Sequence, residues 1–427
     1  MNPGWKKYQF VDRKTESMRM LQKENCKSVW QKENCERSLQ KINCMSTFRP
    51  ILGNAARKDQ FFPRPKIRKA ILDALELNQN ILISSPRRVG KTSVILDLVD
   101  SPDVRFYSVY LNTEGIDSGE KFFQQILSNI FDIDNLDQFG NFGKEAVSFF
   151  KSWGERVAAI KIAGSGIDLR QADKPSYYDQ LKQFLTEAKL GEKQIVLLLD
   201  EFPVTLDNIL KKEGKDAAAF FLNQNRELRQ TPSFQHKIRF VYTGSVGLLN
   251  VAKRLDATDR VNDLMEVKVG PLNAEEAERF IELLFHFRLK RMPSDKEVQS
   301  ILKIIGVFFP YYFQLLIKEM ADAGQKEDLV NKAFQNLVAN GNIHLQHYKS
   351  RLRKIFDSKQ QGFVTRLLLR IKTTGGLQRQ QILNLAEGEG LRDELDDILD
   401  TLFHDGYLAE VQDKIGFYSI ILENWWK

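Results

Sequence analysis

Short apolar runs alternate with stretches of helical spacing along the first two thirds of the chain. Five of these runs are apolar or alternating and rich in β-branched or aromatic residues, and they predict strands at 81–83, 104–111, 194–199, 238–243 and 265–269. The third run is apolar almost throughout, which is typical of a central strand in a parallel sheet covered on both faces. Amphipathic stretches between the runs predict helices, including one from Phe122 to Ile133. The pattern therefore indicates a parallel α/β fold.

Helical spacing alone continues from Pro271 to about Leu352. Asn273 with Glu276 three residues later forms a capping-box pattern, which predicts the start of a helix. The last 70 or so residues predict three helices and then two short strands, at 361–371, 378–386, 391–404, 407–411 and 416–421. Three helices and a hairpin are typical of a winged helix, in which the second and third helices form a helix-turn-helix.

The loop after the first strand carries a phosphate-binding pattern. Together with the first helical turn it reads Ser85, Pro86, Arg87, Arg88, Val89, Gly90, Lys91, Thr92, Ser93. In such a strand–loop–helix, backbone N–H groups cradle phosphate oxygens, and the helix N-terminus adds partial positive charge. We expect Lys91 to reach the β- and γ-phosphates and the Thr92 hydroxyl to bind Mg²⁺. Ser85 stands where the usual pattern, Gly-x-x-x-x-Gly-Lys-[Ser/Thr], has its first glycine.

The third strand ends in two acidic residues, which is a Walker B pattern. Ligands bind at the carboxyl ends of the strands in open α/β folds. We therefore expect Asp200 to hold Mg²⁺ through water and Glu201 to activate the attacking water as a general base. Thr243 ends the next strand and is the candidate sensor of the γ-phosphate, with Ser245 second. The alternative for these two hydroxyls is ordinary turn chemistry.

The sequence from Pro86 to Ser93 resembles that of the archaeal-type ATPase family, AAA+-like relatives of the STAND signalling ATPases with bacterial and archaeal members. The resemblance extends from about Gly53 to the C-terminus. It implies a P-loop NTPase of the additional-strand (ASCE) type with sheet order 5-1-4-3-2, followed by a helical lid and a winged helix. It also implies ATP and Mg²⁺ as cofactors and hydrolysis of ATP to ADP and phosphate.

Other elements share this resemblance. Phe61, Phe62 and Arg64 look like the family's lead-in to the first helix, which lies near the adenine; core aromatics under a helix N-terminus are the alternative. Residues 310–314, Pro-Tyr-Tyr-Phe-Gln, resemble an element close to the base, although Phe308 stands where the family has glycine. The family also carries an arginine near the nucleotide, for which the candidates are Arg260 first and then Arg226, Arg229 and Arg254.

These patterns divide the chain into a repeat segment (1–46), an ATPase core (47–272), a helical lid (273–353) and a winged helix (354–427). The repeat segment holds three copies of a nine-residue repeat, which contain all three cysteines, Cys26, Cys35 and Cys44. It is either a basic arm for an acidic partner or translated upstream repeats with Met45 as the true start, and the second is favoured. We expect it to be disordered and outside the fold.

Charge and hydropathy narrow the function classes. The repeat segment carries 10 Lys or Arg against 5 Asp or Glu, so it supplies most of the net charge of +7, and the body is nearly neutral. Without cysteines, the body has neither a disulfide framework nor a cysteine-based zinc site. No apolar run approaches the ~20 residues of a membrane span. The N-terminus lacks the apolar core of a secretory signal. We expect a cytoplasmic protein with no membrane partner.

The winged helix is acidic. Residues 357–427 hold 8 Lys or Arg and 12 Asp or Glu, and the helix expected to read DNA, 391–405, holds six acids and one arginine. DNA affinity comes largely from phosphate neutralisation, so DNA contact is disfavoured and docking to a protein partner, a second copy or the chain itself is favoured. Three functions stay open: an ATP-driven switch, an ATP-gated DNA-binding regulator and a nucleotide-holding adaptor. The presence of both Lys91 and Glu201 favours the switch over the adaptor.

Overall fold

The computed structural model describes residues 47–132, 148, 151–155, 175–188, 190–244, 247–324 and 328–427. The predicted repeat segment, a predicted insert at 157–169 and Ser245 lie outside the described residues. Among the described helices, none is long and apolar enough to cross a membrane.

Five parallel strands form the central sheet. They are β1 (Asn80–Ile83), β2 (Phe106–Asn112), β3 (Gln194–Asp200), β4 (Ile238–Thr243) and β5 (Leu264–Val267). Their order is β2-β3-β4-β1-β5, and every neighbouring pair is parallel. The implied order 5-1-4-3-2 is therefore confirmed. β3 is buried at every position except Gln194, because helices cover both faces of the sheet.

Seven α-helices of the core are described. They are α1 (Pro65–Glu76), α2 (Lys91–Asp100), α3 (Gly119–Ile130), α4 (Tyr177–Glu187), α5 (Phe202–Glu213), α6 (Lys215–Gln230) and α7 (Leu248–Arg254). A short 3₁₀ turn, Lys58–Gln60, precedes α1. Two apolar clusters, one on each face of the sheet, hold these helices in place. The carboxyl ends of β1, β3 and β4 are thereby brought side by side.

A helical region follows β5. It contains α8 (Ala274–Arg288), α9 (Asp295–Ile305), α10 (Pro310–Ala323), α11 (Leu329–Leu337) and α12 (Ile343–Ile355). The predicted capping box at the start of α8 is present, with the Asn273 side chain accepting from the backbone N–H of Glu276. Its aromatic core reaches back to the first described residues, since Phe48 packs edge-on against Phe280 with ring centroids 6.1 Å apart.

The C-terminal region contains three helices, a hairpin and a last short helix. They are α13 (Ser358–Thr374), α14 (Arg379–Gly388), α15 (Leu395–His404), β6 (Leu408–Val411), β7 (Lys414–Phe417) and α16 (Ile420–Trp425). The strands are antiparallel, and a bridge joins Ile415 to Leu377, which precedes α14.

The predicted second strand, 416–421, is wrong at its C-terminal end. β7 stops at Phe417, and the chain then turns into α16. The Ser419 hydroxyl accepts from the backbone N–H of Leu422, which caps the new helix. The helix buries Trp425, and Trp426 after it is buried as well.

Candidate functional site

A cavity of about 230 Å³ opens between the sheet and the helical region. One wall is the loop after β1 with the first turn of α2, and Glu201 closes the same side. The other walls are residues 53–56, the lead-in around Phe61 and Phe62, and the start of α10 at Pro310 and Tyr311. Elements that lie far apart in sequence thus meet around one space of ligand size.

The loop after β1 has the backbone of an anion-binding turn. Gly90 has φ of 100°, a conformation that glycine adopts freely, and Arg88 has φ of 67°. Alternating conformations of this kind form an N–H-lined concavity. α2 begins at Lys91, so its N-terminus lies at the loop and adds partial positive charge.

Lys91 lies at the base of this loop, with 7% of its surface exposed. Its ammonium donates to the backbone oxygens of Ser85 at 2.6 Å and Pro86 at 3.0 Å. Burial lowers the pKa of Lys91 to about 8, opposed mainly by the negative charge of Glu201. The lysine is therefore a buried cation held close to the Walker B acids.

Asp200 ends β3 and is buried. Burial raises the pKa of its carboxyl, while the hydroxyls of Thr92 and Tyr110 lower it. The Tyr110 hydroxyl donates to Oδ2 at 3.2 Å. Within the described part of the chain, Oδ1 makes no hydrogen bond. A buried carboxylate oxygen beside a threonine hydroxyl fits Mg²⁺, which proteins commonly bind through one or two carboxylates together with phosphates and water.

No group of three or more His, Cys, Asp or Glu side chains in the described ranges could hold a metal ion. Thr92 and Asp200 are the residues that would hold Mg²⁺.

Glu201 follows directly and has φ of 59°, a left-handed conformation that is rare for residues other than glycine. It caps α5 and is half-buried at the cavity wall. Strained backbone of this kind is found at functional sites, where the surrounding structure enforces it. The left-handed conformation of Glu201 turns the chain directly after Asp200. The two consecutive acids therefore point to different places, and of the two only Glu201 lines the cavity.

Thr243 lies at the carboxyl end of β4, level with Ile83 of β1 in the parallel register. It is fully buried, and its hydroxyl oxygen has no hydrogen-bond partner among the residues described. Thr243 is not among the residues that line the cavity, and its role as a phosphate sensor stays a prediction. The second candidate, Ser245, lies outside the described residues.

The other loop residues have structural contacts that their sequence did not reveal. The Ser93 hydroxyl accepts from the backbone N–H of Ala56 at 2.9 Å, which holds residues 53–57 across α2. Arg57 strengthens this strap through an ion pair with Asp100. Val89 is buried in the core, and Arg87 lines the cavity. No pattern in the sequence predicts the contacts of Arg88 or of the strap, because both contact residues that are distant in sequence.

Arg88 connects the loop to two other walls. Its guanidinium lies 4.5 Å from the ring centroid of Tyr311 on α10, a cation–π geometry. It also donates to the backbone oxygen of Gly53 at 3.3 Å. The resemblance placed the lead-in and residues 310–314 near the base, and residues of both line this cavity.

The four arginines proposed for a nucleotide contact do not line the cavity. Arg229 is buried and bound to Asp263 and to the backbone oxygen of Arg260. Arg254 pairs with Asp207, and Arg226 and Arg260 pair with Asp259. The arginines that do line the cavity are Arg64, Arg87 and Arg88. The lead-in motif was the sequence signal for the first of these.

No family model and no curated protein matches the sequence. Among solved structures, a Walker-type ATPase of Pyrococcus abyssi is similar over 89% of this chain and 98% of its own, with 15% identity and a TM-score of 0.58. The RuvB Holliday junction branch migration motor of Thermotoga maritima is similar over 85% of this chain and 94% of its own, with 14% identity and a TM-score of 0.40. The ORC2 protein of Aeropyrum pernix is similar over 82% of this chain and 88% of its own, with 14% identity and a TM-score of 0.45. The sheet order and the first similarity show that the chain has the P-loop NTPase fold, as in this Walker-type ATPase.

Proposed function

We propose that this protein is a Mg²⁺-dependent ATPase that works as a nucleotide-controlled switch. The observation that carries the proposal is that Lys91, Thr92 and Glu201 line one cavity, with the buried Asp200 directly beside them and in contact with Thr92. Phosphoryl transfer requires a cation on the phosphates, ligands for a metal ion and a group that activates water. These four side chains supply all three.

Lys91 binds the β- and γ-phosphates in this proposal, since it is a buried cation at the base of the loop. Glu201 accepts the proton of the attacking water, and Thr243 contacts the γ-phosphate from β4. Thr92 directly and Asp200 through water would hold Mg²⁺, which would neutralise phosphate charge. The adenine lies between the lead-in phenylalanines and Tyr311, which line the same cavity.

The helical region acts as the lid over this cavity. α10 supplies Pro310, Tyr311 and Gln314 to the wall, while the core supplies the opposite side. A nucleotide that contacts both sides stabilises the closed arrangement by its differential affinity for it. Hydrolysis removes contacts to the γ-phosphate and lets the lid relax.

The C-terminal region, which we interpret as a winged helix, docks on the ATPase core. A Cβ added to Gly406 would meet the Cβ of Pro86 in the phosphate loop at 3.1 Å, so the two backbones lie in close contact. Asp400 of α15 pairs with Lys253 of α7 at 3.1 Å. The acidic helix thus faces the core, which favours intramolecular docking over the DNA-regulator alternative.

Charged residues lie at the docked interface. A second cavity, of about 520 Å³, lies there, and its charged lining includes Asp207 and Arg254 of the core, Arg351 of α12 and Asp397 of α15. Relative motion of regions within one chain is common, so docking is suited to control by the nucleotide. A partner protein or a second copy would compete for the same helix when it is released.

Two variants test the ATPase proposal. Lys91→Ala removes the main cation on the phosphates and is expected to abolish ATP binding measured by calorimetry. Glu201→Gln is expected to keep ATP affinity and lose hydrolysis, because the carboxylate acts on water in the transition state. Glu192→Gln, in an exposed loop, is the matched control and should behave as wild type. ATP turnover by Glu201→Gln at the wild-type rate would contradict the assignment of the base.

A further inference from the structure

The connector between core and lid, residues 269–271, is held by two side chains, that of Ser85 in the phosphate loop and that of Arg64, which lines the cavity. Val269 is fully buried, and its backbone N–H donates to the Ser85 hydroxyl at 2.7 Å. The Arg64 guanidinium donates from Nη2 to the backbone oxygens of Gly270 and Pro271, both at 3.1 Å. The connector therefore makes its polar contacts with the site rather than with solvent.

Ser85 contacts the phosphate-binding lysine and the connector at once. Its backbone oxygen accepts from Lys91 at 2.6 Å, and its hydroxyl accepts from Val269 and donates to the backbone oxygen of Ser84. Only 6% of the residue is exposed. The glycine that is usual at this position has no hydroxyl, so the departure from the motif creates the link.

Arg64 makes the second link from the other side of the cavity. It is 8% exposed, lines the cavity, and lies at the start of α1. Its Nε makes no hydrogen bond within the described residues; the closest carboxylate oxygen, of Glu276 in α8, is 3.8 Å away. The same guanidinium thus lies against the cavity, the connector and the first turn of the lid.

We propose that Ser85 and Arg64 are positioning residues that couple nucleotide binding to movement of the lid through the 269–271 connector. The inference rests on the proposed function, because it takes the cavity as the nucleotide site. A phosphate in the loop competes with the backbone oxygens of Ser85 and Pro86 for the Lys91 ammonium. The resulting shift of Ser85 reaches Val269, since a buried N–H stays with its acceptor.

Hydrogen exchange tests the link, because the Val269 amide is itself the donor. In wild type, a non-hydrolysable ATP analogue with Mg²⁺ should protect peptides spanning 86–95 and 264–272. Ser85→Gly, which restores the usual motif, should exchange the Val269 amide about tenfold faster, the factor for one net hydrogen bond. It should also keep protection at 86–95 and lose the nucleotide-dependent part at 264–272.

Ser85→Ala is the second variant and should give the same result, while Ser84→Ala is the control and should match wild type. Arg64→Lys keeps the charge but not the two-carbonyl contact, and it should also reduce the response at 264–272. Because both residues act on one connector, the effects of Ser85→Gly and Arg64→Lys should be less than additive.

The same measurement separates the coupling through the connector from the proposed ATPase function. Unchanged nucleotide protection of 264–272 in Ser85→Gly, with 86–95 still protected, would overturn the coupling and leave the ATPase proposal standing. Absence of protection at both peptides in wild type would overturn the proposed function and the coupling with it.

Discussion

Replacing Lys91 by methionine should stabilise the protein while removing its ATP binding. Burial lowers the pKa of this lysine from 10.5 to about 8. At about 1.4 kcal/mol per tenfold change in proton affinity, the charged form costs the folded state about 3 kcal/mol. Methionine removes that cost but leaves the Ser85 and Pro86 carbonyls without their donor, at about 1 kcal/mol each. A net gain of about 1 kcal/mol remains near neutral pH.

The sign of this effect depends on pH. Below pH 8 the folded state must hold a buried ammonium, whereas the unfolded chain keeps the charge in water. Between about pH 8 and pH 10.5 the unfolded chain binds more protons than the folded protein, so wild-type stability from this group rises with pH. The advantage of Lys91→Met should therefore shrink, and then reverse, as the pH approaches 10.5.

Thermal melts at several pH values between 7 and 10 measure this difference. A gain of about 1 kcal/mol corresponds to roughly 2–4 °C for a domain of this size. Lys69→Met, on a 75% exposed side chain in a surface ion pair, is the control and should shift the melting temperature little and without this pH trend. A difference between Lys91→Met and wild type that is constant over this range would refute the buried-charge argument. Mg²⁺-ATP should raise the melting temperature of wild type and of Lys69→Met, but not of Lys91→Met.

Three further outcomes are expected. A chain that starts at Met45 should melt and hydrolyse ATP like the full chain. A chain that starts at Lys58 should melt at a lower temperature and bind ATP more weakly, because it lacks the buried Phe48 and the strap. Gly406→Ala should lower both the melting temperature and the ATP affinity, because φ of Gly406 is 77° and the added Cβ would press on Pro86 of the phosphate loop. Gly388→Ala is the control and should lower neither, because the space around Gly388 is open. In gel-shift assays at low salt, the full chain should bind no duplex DNA, and salt-sensitive binding at micromolar concentration would favour the DNA-regulator alternative.

The strands of the sheet, and the lysine and carboxylates of the site, could be predicted because short stretches of sequence specify them. An apolar strand followed by Gly90 and Lys91, and another followed by Asp200 and Glu201, each define a strand end within a few residues. Parallel strands then bring these ends together. The order of the sheet came from the resemblance, since spacing alone does not specify which strands are neighbours.

The missed features depend on contacts between distant parts of the chain. Nothing local indicates that the Ser85 hydroxyl meets Val269 or that Gly406 lies on Pro86. The predicted strand runs two residues into the last helix because a short apolar run suits either structure. Ser419 is the local signal for that helix, since serine is a common N-cap residue.

The packing of Phe48 sets an order of events during synthesis. Phe48 leaves the ribosome early, but its partner Phe280 is made roughly 230 residues later, a delay of about 10–50 s at about 5–20 residues per second. The cavity wall contributed by Gln314 comes later still. For that time an aromatic side chain and one wall of the site have no native surface to cover them. Nascent chains should therefore depend on chaperones up to the point at which α10 emerges, and a nucleotide can assist folding only after it.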